Sequence, residues 1–203
     1  DDCTEIRPNG DELSGQFVHG VLIQGNWISE QGGELDGTFD KDGKLHGDDS
    51  TESCANGDEL LGRFEHGVFK EGIWTSNTGV REGVFNENRN LDGPFCIHKT
   101  YGSNGKTIRM EEGSFSDGKL IQGVWDEGDF LDEILAYGER GYLGGSTFKG
   151  DFLAGEPVKG TFSLNGGNEH MTLESSVIKG LVLGHSAELL YKVLTDLNLL
   201  AED

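Results

Sequence analysis

The sequence predicts an all-β chain built from repeated antiparallel β-hairpins and closed at its C-terminal end by an α-helix. Three observations carry this reading. Residues 10–28, GDELSGQFVHGVLIQGNWI, align without a gap on residues 57–75, GDELLGRFEHGVFKEGIWT, with eleven identities. Glycine is abundant and regularly placed, 33 copies against 3 prolines in 203 residues, which marks a repeat rather than a flexible linker. From Ser186 onward the period changes: Ala187, Leu190, Val193, Leu194 and Leu197 fall at helical intervals.

The shared core reads G-x-F-x-x-G-x-x-x-x-G-x-W. It occurs at Gly15, Phe17, Gly20, Gly25 and Trp27, and again at Gly62, Phe64, Gly67, Gly72 and Trp74. It returns at Gly113, Phe115, Gly118, Gly123 and Trp125, and at Gly150, Phe152, Gly155 and Gly160, where Phe162 takes the last position. Shorter echoes stand between them at Gly37 with Phe39, Gly83 with Phe85, and Gly93 with Phe95. Successive units lie ten to twelve residues apart, which suits one short strand and a tight turn. Side chains alternate along a strand, so Phe17 and His19 are expected on one face and Gln16 and Val18 on the other. The glycine two places before each aromatic is expected to leave a hole that a ring of the adjoining hairpin fills. The second glycine marks the turn, most plainly in Asp117-Gly118.

Residues 1–167 are therefore expected to form the hairpin array, with an irregular insert near 126–147, where DEGDFLDEILAYGERGYLGGST breaks the rhythm. Residues 168–203 are expected to hold a terminal strand over Val177–Leu183 and a helix over Ser186–Leu200, with Ser186 as N-cap. A repeat array exposes an unpaired edge at its end, and the helix is expected to cover it. The alternative is that its leucines dock on a partner or on a second copy.

The Gly-aromatic pattern over residues 10–165 resembles the MORN-repeat family, which implies an elongated, twisted array of successive hairpins. The chain departs from that family where Leu13, Leu60, Glu111 and Phe148 stand before the first glycine in place of its usual tyrosine. A narrower likeness lies in Gly33-Glu34-Leu35-Asp36-Gly37-Thr38-Phe39-Asp40-Lys41-Asp42-Gly43 followed by Glu59-Leu60-Leu61-Gly62-Arg63-Phe64-Glu65-His66-Gly67. It resembles the MORN-containing N-terminal domain of the SET-domain histone lysine methyltransferase family. There the SET domain performs methyl transfer, so the resemblance implies a non-catalytic, regulatory or substrate-orienting portion. No Asn-His-Ser of a methyl-donor pocket occurs in this sequence.

No catalytic, cofactor-binding or metal residue is expected. Asp40-Lys41-Asp42-Gly43 opens like a calcium loop, but the fifth and twelfth positions would be Lys44 and Thr51, so it reads as an Asp-Gly turn. His19 and His66 occupy equivalent repeat positions and read as turn residues, and His46, His98, His170 and His185 have no partner legible in sequence. Cys3, Cys54 and Cys96 are too few and too scattered for a disulfide framework or a zinc site.

What remains is a surface. Trp27, Trp74 and Trp125 recur at one repeat position, and two arrangements suit them: rings stacked inside the array, or an exposed row that forms a partner-binding aromatic face. With 16 Lys and Arg against 37 Asp and Glu the net charge is −21, which argues against nucleic acid and against anionic lipid, and steers the chain toward a protein partner with a basic segment. The expected function is a non-catalytic interaction or scaffold module; the SET-linked role and a phospholipid-binding role are the alternatives. No apolar run approaches a membrane span, and no secretion signal opens the chain, so a cytoplasmic or nuclear location is expected. An array end also offers an edge for a homodimer.

Overall fold

The computed structural model describes residues 3–142, 145–164 and 169–174. All described regular structure is β, and the order of the strands in the sheet is their order in the chain. Two compact units are present. The first comprises residues up to His98 together with Gly113–Ile121; the second comprises Lys99–Glu112 and the chain from Gln122 onward. The terminal strand Val177–Leu183 and the helix Ser186–Leu200 lie outside the described residues.

Within the first unit run β1 (Cys3–Ile6), β2 (Glu12–Val18), β3 (Val21–Ile28), β4 (Glu34–Thr38), β5 (Gly47–Ser53), β6 (Glu59–Glu65), β7 (Val68–Ser76) and β8 (Gly79–Val84). Strands β9 (Gly93–Tyr101), β10 (Thr107–Ser116) and β11 (Lys119–Leu131) contribute to both units. The second unit continues with β12 (Ile134–Tyr142), β13 (Thr147–Leu153), β14 (Glu156–Leu164) and β15 (Glu169–Glu174).

The repeat glycines meet one another across the strands. Gly15 pairs with Gly25 and Gly25 with Gly37; Gly128 pairs with Gly138, Gly138 with Gly150 and Gly150 with Gly160. At Gly15, φ is 141°, and a Cβ there would overlap the Gln24 carbonyl oxygen and lie 2.8 Å from Cα of Gly25. Close backbone approach and a left-handed φ therefore require glycine at this position, and likewise at Gly25, Gly128, Gly138 and Gly150. The expected hole for a ring is not what they provide at Gly15, Gly62 or Gly150, where the nearest atoms are backbone. Ring-over-glycine packing occurs instead at Gly141, whose Cβ position lies 2.5 Å from Cζ2 of Trp125, and at Gly160, 2.7 Å from Cζ of Phe148.

Four hairpins carry the same device between glycine and aromatic. The register shifts between Gln16 and Phe17, between Arg63 and Phe64, between Asp129 and Phe130, and between Asp151 and Phe152. A bulge at that point adds one residue to the second strand, namely Ile23, Lys70, Ala136 and Val158 in turn, and strengthens the local twist beside the aromatic. Phe64, Phe115 and Phe152 are buried, and Phe17 packs against the same core as Phe64 and Phe115. The turn that follows has two residues at positive φ, as at His19 and Gly20 (51° and 79°) and His66 and Gly67 (50° and 80°). Two such residues make the turn whose twist matches a hairpin's strands.

The segment expected to be irregular is a hairpin of the same type. Gly128, Phe130 and Gly138 hold three of the five repeat positions, while Glu133, with φ of 66°, replaces the turn glycine and Arg140 replaces the tryptophan. At the echo Gly93-Pro94-Phe95, by contrast, the aromatic does not enter the core: Phe95 is 91% exposed with φ of 56°, and the neighbouring Cys96 is buried.

One cross-strand pair stands out in the second unit. Leu13 faces Trp27 and Leu60 faces Trp74 in the first unit, and at the same repeat position Asp126 faces Arg140. The Arg140 guanidinium donates to both Asp126 oxygens at 2.6 and 2.7 Å and to the Gly155 carbonyl at 2.8 Å. Burial alone would lower the guanidinium's pKa, and the Asp126 carboxylate outweighs it and raises it. Asp126 is 2% exposed.

Candidate functional site

The three tryptophans are half-buried, and each ring carries an arginine. Arg7 sits 4.6 Å above Trp27, Arg81 sits 4.6 Å above Trp74, and Arg109 sits 4.9 Å above Trp125. Trp27 and Trp74 also pack against Phe39 and Phe85. Their indole N–H groups donate to Asp11 at 3.0 Å and to Asp58 at 3.2 Å, carboxylates at equivalent repeat positions. Arg109 holds that position in the third copy, and it pairs with Glu111 and Glu127, each at 2.9 Å. The rings are thus neither sealed in the core nor presented bare: the ring faces that would greet a partner are occupied by guanidinium groups.

Asp11 is the hub of the Trp27 arrangement. It accepts the Asn9 amide at 2.9 Å and the Glu30 backbone N–H at 3.2 Å as well as the indole. The Asn9 bond chiefly holds its carboxyl below the ordinary 3.8; burial opposes this, and Glu30, Trp27 and the Arg7 charge reinforce it. A carboxyl that is more acidic folded than unfolded contributes stability above pH about 4, lost as pH falls through the lower folded value. Asp11→Asn is therefore expected to be less stable than wild type at pH 7, with the gap shrinking on acidification. Urea midpoints read by tryptophan fluorescence at pH 7 and at pH about 3 measure this.

The opposite face of the first unit is built by the strand register. One row runs Ile6, Glu12, Ile28, Glu34, Ser53, Glu59, Thr75 and Val80. The adjacent row on the same face runs Thr4, Ser14, Asn26, Asp36, Thr51, Leu61, Ile73 and Glu82. Glu12, Glu34, Asp36, Glu59 and Glu82 are exposed, as are Ile28, Leu61 and Ile73. Neither row contains a lysine or an arginine. Glu12, Glu34 and Glu59 stand on alternate strands, so they recur about every 10 Å, twice the inter-strand spacing.

A second cluster lies where two turns meet in the first unit. Asp40 opens the turn after β4, His46 follows that turn, and His66 occupies the hairpin turn between β6 and β7. Asp40 Oδ1 accepts the backbone N–H of Asp42 at 2.9 Å and of Lys44 at 3.0 Å, which confirms the Asp-Gly turn. Its Oδ2 lies 2.6 Å from Nδ1 of His66. The His46 and His66 rings are 4.9 Å apart, and the His66 backbone N–H points to Nδ1 of His46 at 3.4 Å. The Lys44 N–H chiefly holds the Asp40 carboxyl down to about 2, against burial and with help from His66 and Asp42.

His46 thus has partners that the sequence did not disclose. His66 and Asp40 lie 26 residues apart, and only the pairing of β5 with β6 brings their turns together. Among the described residues no helix is long and apolar enough to cross a membrane. Compared with protein-family models and with curated proteins, the chain returns no match.

Proposed function

We propose that this chain is a non-catalytic protein-interaction module of MORN-like hairpins whose acidic sheet face takes a Lys/Arg-rich segment of a partner protein. The observation that carries the reading is the pair of cation-free rows across β1 to β8, in which Glu12, Glu34 and Glu59 repeat at strand spacing beside exposed Ile28, Leu61 and Ile73. Carboxylates steer a basic segment and set its register, and the apolar side chains between them supply area to bury. An extended polyproline-II segment with lysine at every third residue presents a charge about every 9 Å, close to the spacing of the glutamates. The Trp–Arg pairs, by contrast, support the sheet rather than the binding face.

The test is a titration of the chain with such a lysine peptide and with its glutamate counterpart, at low and physiological salt. The lysine peptide is expected to bind, more weakly as salt rises, and the triple variant E12Q/E34Q/E59Q to lose at least tenfold in affinity with an unchanged circular dichroism spectrum. Equal binding of both peptides, or an unaffected triple variant, would overturn the reading.

A further inference from the structure

We propose that Asp40, His46 and His66 form a binding site for a divalent transition-metal ion of the zinc class, which ties the turn after β4 to the hairpin turn between β6 and β7. One carboxylate oxygen and two imidazole nitrogens, all within 4.8 Å of one another, make up the donor set. Two nitrogens and one oxygen suit zinc, nickel or copper, whereas calcium and magnesium take shells of oxygen.

A tetrahedral ion with bonds of about 2.0–2.1 Å needs its donors about 3.3 Å apart. The widest separation must therefore contract by about 1.5 Å, while the Asp40–His66 pair, now at 2.6 Å, opens by about 0.7 Å; both imidazoles are exposed. The third donor is already aimed: Asp40 is fixed through Oδ1 by two backbone N–H groups, and its Oδ2 points at His66. Where Asp40 Oδ2 and His66 Nδ1 meet through a hydrogen bond in the free chain, the ion takes the place between them, and the neutral imidazole that binds it through Nδ1 keeps its one proton on Nε2. The fourth position of the ion then faces water.

The fold itself does not ask for these imidazoles. The same junction recurs at the turn after β8, where Asn86, Asp92 and Asp117 stand at the positions of Asp40, His46 and His66. There the Asn86 and Asn90 amides donate to Asp117 at 3.0 and 2.8 Å. The backbone strap is also the same, Gly67 to Leu45 in one and Gly118 to Leu91 in the other, both 2.8 Å. Amide and carboxylate suffice to hold that contact, so the histidine pair adds a donor set that the junction does not require.

Calorimetric titration of the full chain with zinc chloride tests the site, with magnesium chloride as the contrasting ion. One zinc equivalent is expected to bind with a dissociation constant in the micromolar range or tighter, and magnesium not at all. His46→Gln and His66→Asn are each expected to weaken zinc at least tenfold; asparagine is chosen because it tolerates the left-handed backbone of His66. His19→Asn, at the same turn position but in no such cluster among the described residues, is expected to leave the affinity unchanged. Circular dichroism of each variant separates lost binding from lost fold. Zinc affinity no better than millimolar, or an equal loss in His19→Asn and His66→Asn, would overturn the proposal.

Discussion

Asp126→Leu alone is expected to cost about 3–5 kcal/mol of stability, and adding Arg140→Trp to return most of that loss. Removing the carboxylate leaves a guanidinium in a largely buried place, still bound to the Gly155 carbonyl but without its countercharge, and stranding one member of a buried pair carries that order of penalty. The double change does something different. It installs at β11 and β12 the Leu–Trp cross-strand pair that β2 with β3 and β6 with β7 already use. Replacing a buried ion pair by apolar groups that fit is often neutral or stabilising, because neither charge then has to be desolvated. Chemical denaturation of wild type, both single variants and the double variant closes the cycle. An additive loss in the double variant would show that the neighbourhood of Arg140, including Phe152 at 5.2 Å, cannot accept an indole.

Gly72→Ala is the second large effect, with an expected loss above about 3 kcal/mol. A left-handed backbone costs a residue with a Cβ roughly 1–3 kcal/mol, and φ at Gly72 is 141°. The methyl group would also overlap the Leu61 carbonyl oxygen and lie 2.8 Å from Cα of Gly62, so the two strands must part where Gly62 and Gly72 face each other. Valine should be little worse than alanine, since the first carbon already does the damage. Were the glycine there to admit a neighbouring ring, alanine would be tolerated and valine would not. Melting temperatures of the alanine and valine variants therefore distinguish the two causes.

That distinction shows what the sequence could and could not disclose. Period and turn chemistry were legible, because each hairpin needs its glycines at fixed separations whatever the reason. The reason was not legible, since Gly15 facing Gly25 appears only once the register is known. The hairpin at Gly128 escaped because Glu133 stands where a glycine was expected and Asp126 with Arg140 where an apolar pair was expected, so the pattern was kept in geometry and lost in residue type. The tryptophans were found, but the arginines that cover them come from positions with no fixed offset: Arg7 precedes its ring and Arg81 follows it. The acidic face follows from alternation along the strands. The Asp40 cluster does not, because turns remote in sequence meet only through strand pairing.

The strand order carries a consequence for how the chain reaches this structure. Every described strand is a neighbour in the sheet of the strand that precedes it in the chain, so no pairing waits for a distant segment to arrive. The entropy of closing each loop stays that of a few residues, and a β protein with such local contacts is expected to fold faster than a sandwich or barrel of equal length. Each hairpin laid down offers a template for the next, and the chain can begin ordering during synthesis, before its last residues leave the ribosome.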